Sequence, residues 1–350
     1  MRVVVVGATG NVGTSVLAAL RDEARVESVL GVARRLPGLS LPKVEWATAD
    51  IVSDDLVAIF RGTDAVVHLA WQIQPSRDQR QLERVNVDGS ARVFRAAADA
   101  GVPSLVYASS VGAYSPGPKD RRVDESWPAN GITSSFYSRH KAAVEKLLDR
   151  FEREHPQVRV VRLRPGLIFK REAASGIRRL FAGPFLPSPL LHPTLLRVMP
   201  DLPRLRFQAV HSLDVGEAYR LAIVSDERGA FNIAAEPVLD PATLARIFDA
   251  RTIELPTRAA RMVVDAAYRL RLHPTPPGWL DLALAVPLLD WSRARDRLGW
   301  RPRFGADQAL LELIEGLRKR EGVETPPLAS DTGGPLRVRE LLTGVGGRDR

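Results

Sequence analysis

The feature that most constrains the fold stands at the start of the 350-residue chain. Val3-Val4-Val5-Val6 is an unbroken β-branched run that breaks into Gly7-Ala8-Thr9-Gly10-Asn11-Val12-Gly13. An apolar run without polar alternation needs cover on both faces, as a central parallel strand has. Gly7 permits a tight turn, Gly10 lets a ligand approach the backbone, and Gly13 lets the following helix pack closely on the strand. The start of that helix presents unpaired N–H groups and the positive end of its dipole, a place for a pyrophosphate. The spacing differs by one residue from G-x-G-x-x-G. A tight strand–helix turn with no ligand competes with dinucleotide binding, which the position after a four-valine strand favours.

Candidate strands follow at Val26–Val32, Val44–Trp46, Ala65–Leu69, Ser104–Ala108 and Val158–Leu163, after the first at Arg2–Val6. Helical patterns at Asn11–Glu23, Asp54–Phe60, Arg77–Ala100 and Phe136–Glu154 separate most of them. Strands alternating with helices give a parallel sheet covered on both faces. The expected fold is therefore α/β: a Rossmann-type doubly wound parallel sheet with a smaller, mostly helical C-terminal substrate lobe. After Pro165 the rhythm changes, with six prolines among Leu and Phe between residues 183 and 204. Regularity returns at Arg206–Val210, Asp214–Val224 and Ala230–Ile233, and further helices are expected at Pro241–Ala250, Arg258–Leu270, Arg293–Leu298 and Ala306–Arg320. The division expected is 1–165 plus about 206–235 for the dinucleotide-binding domain and 166–205 plus 236–320 for the substrate lobe. The Pro-, Gly-, Thr- and Ser-rich tail, 321–350, is expected to be disordered.

Composition removes several classes. Lys and Arg total 50 against 41 Asp and Glu, a net charge of +9, but only six are Lys and the arginines are scattered, so no nucleic-acid partner is expected. With no cysteine, disulfides, thiol nucleophiles and thiolate zinc sites are excluded. Six His without HExxH-like spacing propose no metal site, and His68 reads as a core histidine. The apolar stretch Trp279–Leu289 is interrupted by Asp281 and Pro287 and falls short of the ~20 residues of a spanning helix. No signal peptide is legible at the N-terminus, and a cytoplasmic chain without a membrane partner is expected.

Where a second strand ends, a carboxylate accepts the ribose 2′-OH of NAD and arginine accommodates the 2′-phosphate of NADP. Here Val32 leads into Ala33-Arg34-Arg35, which favours NADP, with NAD as the alternative. Tyr137 and Lys141 stand four apart at the start of a helix, on one face. A neighbouring ammonium lowers a phenol's pKa and makes proton exchange with a substrate hydroxyl feasible. Upstream, Val106-Tyr107-Ala108-Ser109-Ser110 ends a β-run in hydroxyls, at the carboxyl edge where open α/β sheets bind ligands.

Taken together, these motifs resemble an extended short-chain dehydrogenase/reductase of the NAD-dependent epimerase/dehydratase type. The resemblance runs to about residue 304. It rests on the order of Gly7-x-x-Gly10-x-x-Gly13, Asp50-Ile51, His68-Leu69-Ala70, Asn86-Val87-Asp88-Gly89, Ser109-Ser110, Tyr137-x-x-x-Lys141, Arg164-Pro165-Gly166, Phe231-Asn232-Ile233 and Leu298-Gly299-Trp300-x-Pro302. It implies that Gly7, Gly10, Asn11, Val12 and Gly13 hold the dinucleotide and that Asp50 and Ile51 contact the adenine. Leu69 and Ala70 would lie beneath the ribose with Trp71 close by, and Asn86 would lie near the nicotinamide half. Ser110, with Ser109 as an alternative, would hydrogen-bond the substrate oxygen. Tyr137 would be the general acid/base, and Lys141 would bind the nicotinamide ribose. Family members often pair through two helices, here Arg77–Ala100 and Phe136–Glu154, so a homodimer is expected by resemblance.

Departures from the family narrow the reaction. Sugar dehydratases carry two acidic residues directly after the catalytic hydroxyl residue; here stand Val111 and Gly112. Nucleotide-sugar members usually carry Asn shortly after the Arg-Pro pair; here Leu167-Ile168-Phe169 follows Gly166, although Arg178, Arg179, Arg204 or Arg206 remain candidates to meet a diphosphate. Phe181, Phe185, Leu186, Leu190 and Leu191 suggest a hydrophobic lid, or else the packing of a small lobe. The expected activity is an NAD(P)-dependent oxidoreductase acting on a small, moderately apolar carbinol or ketone through Ser110, Tyr137 and Lys141. The alternatives are a nucleotide-sugar epimerase with retained NAD and a non-catalytic dinucleotide-sensing regulator.

Overall fold

The computed structural model describes residues 1–73, 77–174, 176–177, 197–270, 275–319, 321–323 and 325–328. Seven parallel strands form its centre: β1 (Arg2–Val6), β2 (Ser28–Ala33), β3 (Val44–Thr48), β4 (Ala65–His68), β5 (Ser104–Ala108), β6 (Arg159–Pro165) and β7 (Gly229–Ile233). Their order is β7-β6-β5-β4-β1-β2-β3, so the winding reverses between β1 and β4 and leaves a crevice beyond their carboxyl ends. The four valines of β1 are at most 1% exposed, each stabilised by roughly 1.5–3 kcal/mol relative to exposure.

Helices cover both faces, as the unbroken apolar strands require. On one face α1 (Asn11–Arg21) and the helix Ser212–Val224 bury Val16, Leu17, Leu20, Val215 and Tyr219 against the sheet. On the other, α2 (Leu56–Phe60), the helical run from Gln79 to Asp99 and the helix Phe136–Glu154 bury Phe60, Val93, Phe94, Val144 and Leu148. That run divides into α3 (Gln79–Glu83), a π turn at Arg84–Asp88 and α4 (Gly89–Asp99); the helix Phe136–Glu154 is α5 and Ser212–Val224 is α6. The π turn interrupts the single helix expected over Arg77–Ala100. Within that turn the Asn86 amide is turned inward and pairs with both backbone groups of Gln72, fourteen residues away.

The remaining helices among the described residues are α7 (Pro241–Phe248), α8 (Thr257–Arg269), α9 (Gly278–Ala285), α10 (Ser292–Leu298) and α11 (Ala306–Lys319). Phe169, Ala209, Leu239, Leu244, Leu310, Leu313 and Ile314 form a second apolar centre under α7 and α11. Three short parallel pairs were not expected as pairs, although Ala209–His211 overlaps the regular segment expected at Arg206–Val210: Arg122–Val123 with Leu288–Leu289, Leu167–Phe169 with Ala209–His211, and Val198–Asp201 with Arg251–Glu254. Pairs of two to four residues carry too little periodicity to be legible. Thr325 and Leu328 are buried, which takes the packed chain past Glu321, where composition had placed the start of the tail. Residues 329–350 lie outside the described residues. No helix among the described residues is long and apolar enough to cross a membrane.

Candidate functional site

The glycine loop lies where the winding reverses. Gly7 has φ +90°, a region L side chains rarely adopt, and a Cβ there would stand 2.7 Å from the Ala70 nitrogen and 3.0 Å from the Leu69 carbonyl carbon. Leu69 and Ala70 are thereby brought directly onto the loop, with the Leu69 amide donating to the Val6 carbonyl. At Gly13 a Cβ would lie 2.5 Å from the carbonyl oxygens of Gly7 and Ala8, which fixes the close packing of α1. Gly10 differs: a Cβ there would meet only the Gly7 carbonyl oxygen, at 3.4 Å, and no side chain caps α1. The first amides of α1, at Asn11 and Val12, have no partners within the helix. Asn11 donates through Nδ2 to the Ile168 carbonyl, while its buried Oδ1 finds no partner among the described residues.

Arg34 and Arg35 are exposed just beyond β2. Asp50 follows β3 and accepts a hydrogen bond from the Val52 amide through Oδ1, at 2.8 Å. It lines a cavity of about 340 Å³ with Val52, Ser53, Gln81 and Arg84. Ile51 is buried against Gly89, where any side chain on the helix would displace it. Asn86 is fully buried and shapes the chain after β4 by bracketing Gln72, at 2.7 and 2.9 Å. Both polar atoms of the Asn86 side chain are thereby engaged by the backbone of Gln72. The open backbone at Gly10 and the uncapped start of α1 fit the phosphates of a dinucleotide.

Ser110, Tyr137 and Lys141 meet beyond the end of β5. Ser110 accepts from the Gly112 amide at 3.0 Å, opening a 3₁₀ turn at Val111–Ala113. Ser135 caps α5 through Ser138, and Tyr137 follows in the first turn. Burial pushes the Tyr137 phenol up to about 12, against a smaller downward pull from its hydrogen bond with Ser110. This departs from the expectation that Lys141 lowers the phenol's pKa. The Lys141 nitrogen lies 6.0 Å from the Tyr137 ring centre and is itself buried. It donates to the Ala108 carbonyl at 2.6 Å and sits 3.5 Å from the centre of the Trp71 ring. Burial drives the Lys141 amine well below its ordinary value, opposed by the Glu145 carboxylate one turn along α5.

Ser109, the alternative hydroxyl, points elsewhere. Its Oγ donates to Glu145, which also receives both Arg162 and Arg164 in a buried cluster. Burial pushes the Glu145 carboxyl up, but hydrogen bonding and the two guanidiniums prevail and hold it down at about 2. Sequence reading missed this cluster, although Glu145 follows Lys141 by one helical turn and Arg162 and Arg164 alternate on β6. Burial holds His68 neutral, with a pKa of about 3. Ser90 donates to the Asn86 carbonyl, so the 2.9 Å contact between Ser90 and His68 Nε2 assigns the His68 proton to Nε2. No cluster of three or more candidate metal ligands occurs among the described residues.

The surroundings of the Tyr137 ring are apolar and aromatic. Trp279, from α9, stacks on Tyr137 with ring centres 5.1 Å apart, and Trp71 meets the same ring edge-on at 6.0 Å. A Cβ on Gly112 would lie 2.7 Å from Tyr137 Cε1, so an acidic side chain there is incompatible with the tyrosine's position. Leu167 packs into the second apolar centre. Arg204 donates to the Leu284 and Gly117 carbonyls and Arg206 to that of Lys119, so both are engaged by backbone. Arg178, Arg179, Phe181, Phe185, Leu186, Leu190 and Leu191 lie outside the described residues.

A doubly wound sheet with a glycine loop at its switch point and a Ser–Tyr–Lys set at the next strand edge defines the extended short-chain dehydrogenase/reductase class. The model of the NAD dependent epimerase/dehydratase family matches residues 3–182, just over half of the chain, and the chain belongs to that family. An uncharacterized protein of Mycobacterium tuberculosis (strain ATCC 25618 / H37Rv) is 26% identical over 326 residues, covering 92% of this chain and 31% of the relative. The chain thus spans about a third of the length of the mycobacterial relatives it matches. A decarboxylating sterol-4-alpha-carboxylate 3-dehydrogenase of Candida albicans is 29% identical over 204 residues, 57% of this chain and 52% of the relative. Among solved structures, MoeE5 in complex with UDP-glucuronic acid and NAD is similar with a TM-score of 0.66 and 22% identity, over 91% of this chain and 99% of that one. The Thermus thermophilus UDP-glucose 4-epimerase in complex with NAD gives 0.65 and 22% over the same shares. At these identities the likeness is one of fold.

Proposed function

We propose that the chain is an NAD(P)-dependent oxidoreductase that interconverts a carbinol and a ketone on a small, moderately apolar substrate. The convergence of Ser110, Tyr137 and Lys141 beside the glycine-loop crevice carries this reading. A bound nicotinamide supplies or accepts the hydride. The Ser110 hydroxyl holds the substrate oxygen, and Tyr137 donates its proton to that oxygen in reduction or removes it in oxidation. A phenol held near 12 is protonated at neutral pH, so the ligand-free site is poised as the acid. Arg34 and Arg35 are exposed just beyond β2, the strand end at which arginine accommodates a 2′-phosphate, which supports NADP. Val111, Gly112 and Leu167 replace the polar groups of the dehydratase and nucleotide-sugar patterns, which supports an apolar substrate.

Titration of the purified chain with NADPH and NADH, followed by nicotinamide fluorescence, tests this reading. A preference for NADPH that collapses in the Arg34→Ala/Arg35→Ala variant is expected, with Tyr137→Phe retaining binding and losing turnover. Dinucleotide retained through purification would favour the epimerase. Dinucleotide binding with no turnover in the wild type, and with Tyr137→Phe indistinguishable from it, would favour the regulator.

A further inference from the structure

Buried indoles ordinarily turn so that their N–H meets an acceptor. Trp71 does not: its Nε1 is buried and finds no partner among the described residues. The polar contact that the ring does make is through its face, where the Lys141 nitrogen lies 3.5 Å from the ring centre. Trp71 is held there by its own chain, since Gln72 is clamped at both backbone groups by Asn86. The same indole presents an edge to Tyr137.

The groups facing Lys141 leave it short of electrostatic support. From β4 comes His68, which is neutral, and from β5 comes Tyr107, whose ring centre is 5.1 Å from the nitrogen and whose phenol burial pushes up. On α5 itself lie Tyr137, also neutral, and Glu145, whose carboxylate is engaged by two guanidiniums. One carbonyl, that of Ala108, accepts a hydrogen bond from the amine. An ammonium in such a place is stabilised by an electron-rich ring face, an attraction that strengthens when water is excluded.

We propose that Trp71 is a positioning residue: its indole face keeps the Lys141 side chain protonated and fixed beside Tyr137. The inference deepens the oxidoreductase reading, on which the importance of that charge rests. Trp71 acts through Lys141, so the separation to be made is between a π face and mere bulk. Trp71→Phe keeps a π face, whereas Trp71→Leu keeps apolar volume without one.

The chain has only six lysines, so ¹³Cε-lysine NMR can follow Lys141 directly, with Lys141→Met assigning its signal. In the wild type, Lys141 should titrate below the ordinary lysine value of about 10.4. Trp71→Leu should lower its midpoint by about one further pH unit, a tenfold easier deprotonation, and Trp71→Phe by about half a unit or less. The other five lysine signals report whether each variant keeps the fold. A midpoint in folded Trp71→Leu equal to or above that of the wild type overturns the proposal, as does an equal fall in both variants. NADPH and NADH titrations run beside it over the same pH range. If the midpoint moves as expected but neither dinucleotide binds the wild type, the oxidoreductase reading fails and the pairing stands. If dinucleotide binds and the midpoint is unmoved, the pairing fails alone.

Discussion

Replacement of Glu145 by Gln tests how the buried charges under the site are held. Glu145 is 2% exposed and receives Ser109, Arg162 and Arg164. Its carboxyl falls from 4.5 to about 2 in the fold. At about 1.36 kcal/mol per unit, that difference is worth about 3 kcal/mol at neutral pH. A depressed folded pKa stabilises above the unfolded value and is lost as pH falls through the folded one. The contribution should therefore be complete above about pH 5, reduced by about 1 kcal/mol at pH 3.5, and gone below pH 2. Gln at this position leaves Arg162 with Asp149 and Glu152, but leaves Arg164 with the Tyr114 hydroxyl and the Glu125 carbonyl, neither of them a charge. Breaking one side of a buried ion pair costs about 3–5 kcal/mol, in agreement with the titration argument. Urea unfolding of both proteins, followed by far-UV circular dichroism at pH 7 and at pH 3.5, measures the difference. A loss below about 1 kcal/mol at pH 7, or a difference that does not narrow at pH 3.5, refutes the reasoning.

Gly7→Ala should lower stability by about 2 kcal/mol or more, from the positive φ and the contact with Ala70, and should abolish dinucleotide binding; thermal unfolding and nicotinamide fluorescence read the two effects separately. Gly112→Ala should push the Tyr137 ring aside, lowering turnover about a hundredfold while dinucleotide affinity stays within about twofold. Asp214→Ala should cost about 1–3 kcal/mol in urea unfolding, because its carboxylate receives the Arg303 and Phe304 amides, and should leave dinucleotide binding unchanged.

The fold was legible where burial writes a period into the sequence. β1, β5 and α5 were expected over the residues they occupy because continuous apolar runs and a 3.6-residue pattern survive in the chain. The Leu298-Gly299-Trp300 motif was legible too. Gly299 ends α10 at φ +69°, and Trp300 is fully buried with its N–H on the Asp214 carbonyl. Partners remote in sequence were not legible. Nothing local announces that Asn86 will clamp Gln72, that Glu145 will join Ser109 to Arg162 and Arg164, or that Trp71 will face Lys141. The upward displacement of Tyr137 has the same origin, since the number of methylenes and rings that close over a phenol is a property of packing.

Trp279 shows where substrate selection resides under the proposed function. The family model ends at residue 182, so it spans the glycine loop, Ser110, Tyr137 and Lys141, but not the ring stacked on Tyr137. That ring is brought in by a close approach: at Gly278 a Cβ would stand 2.3 Å from the Ser134 carbonyl oxygen, beside the Ser135 cap of α5. Membership thus speaks for the chemistry, while one wall of the substrate side comes from a segment beyond the family model. Trp279→Ala removes that wall and leaves the glycine loop and Lys141 in place, so NADPH and NADH affinities should stay within about twofold. Turnover over a panel of ketones should shift unevenly, with planar aromatic ketones losing about fivefold more than small aliphatic ones, as expected for loss of an aromatic contact of about 1 kcal/mol. An equal loss across the panel would instead assign Trp279 to the support of Tyr137, and a parallel loss of dinucleotide binding would show that α9 holds the crevice itself.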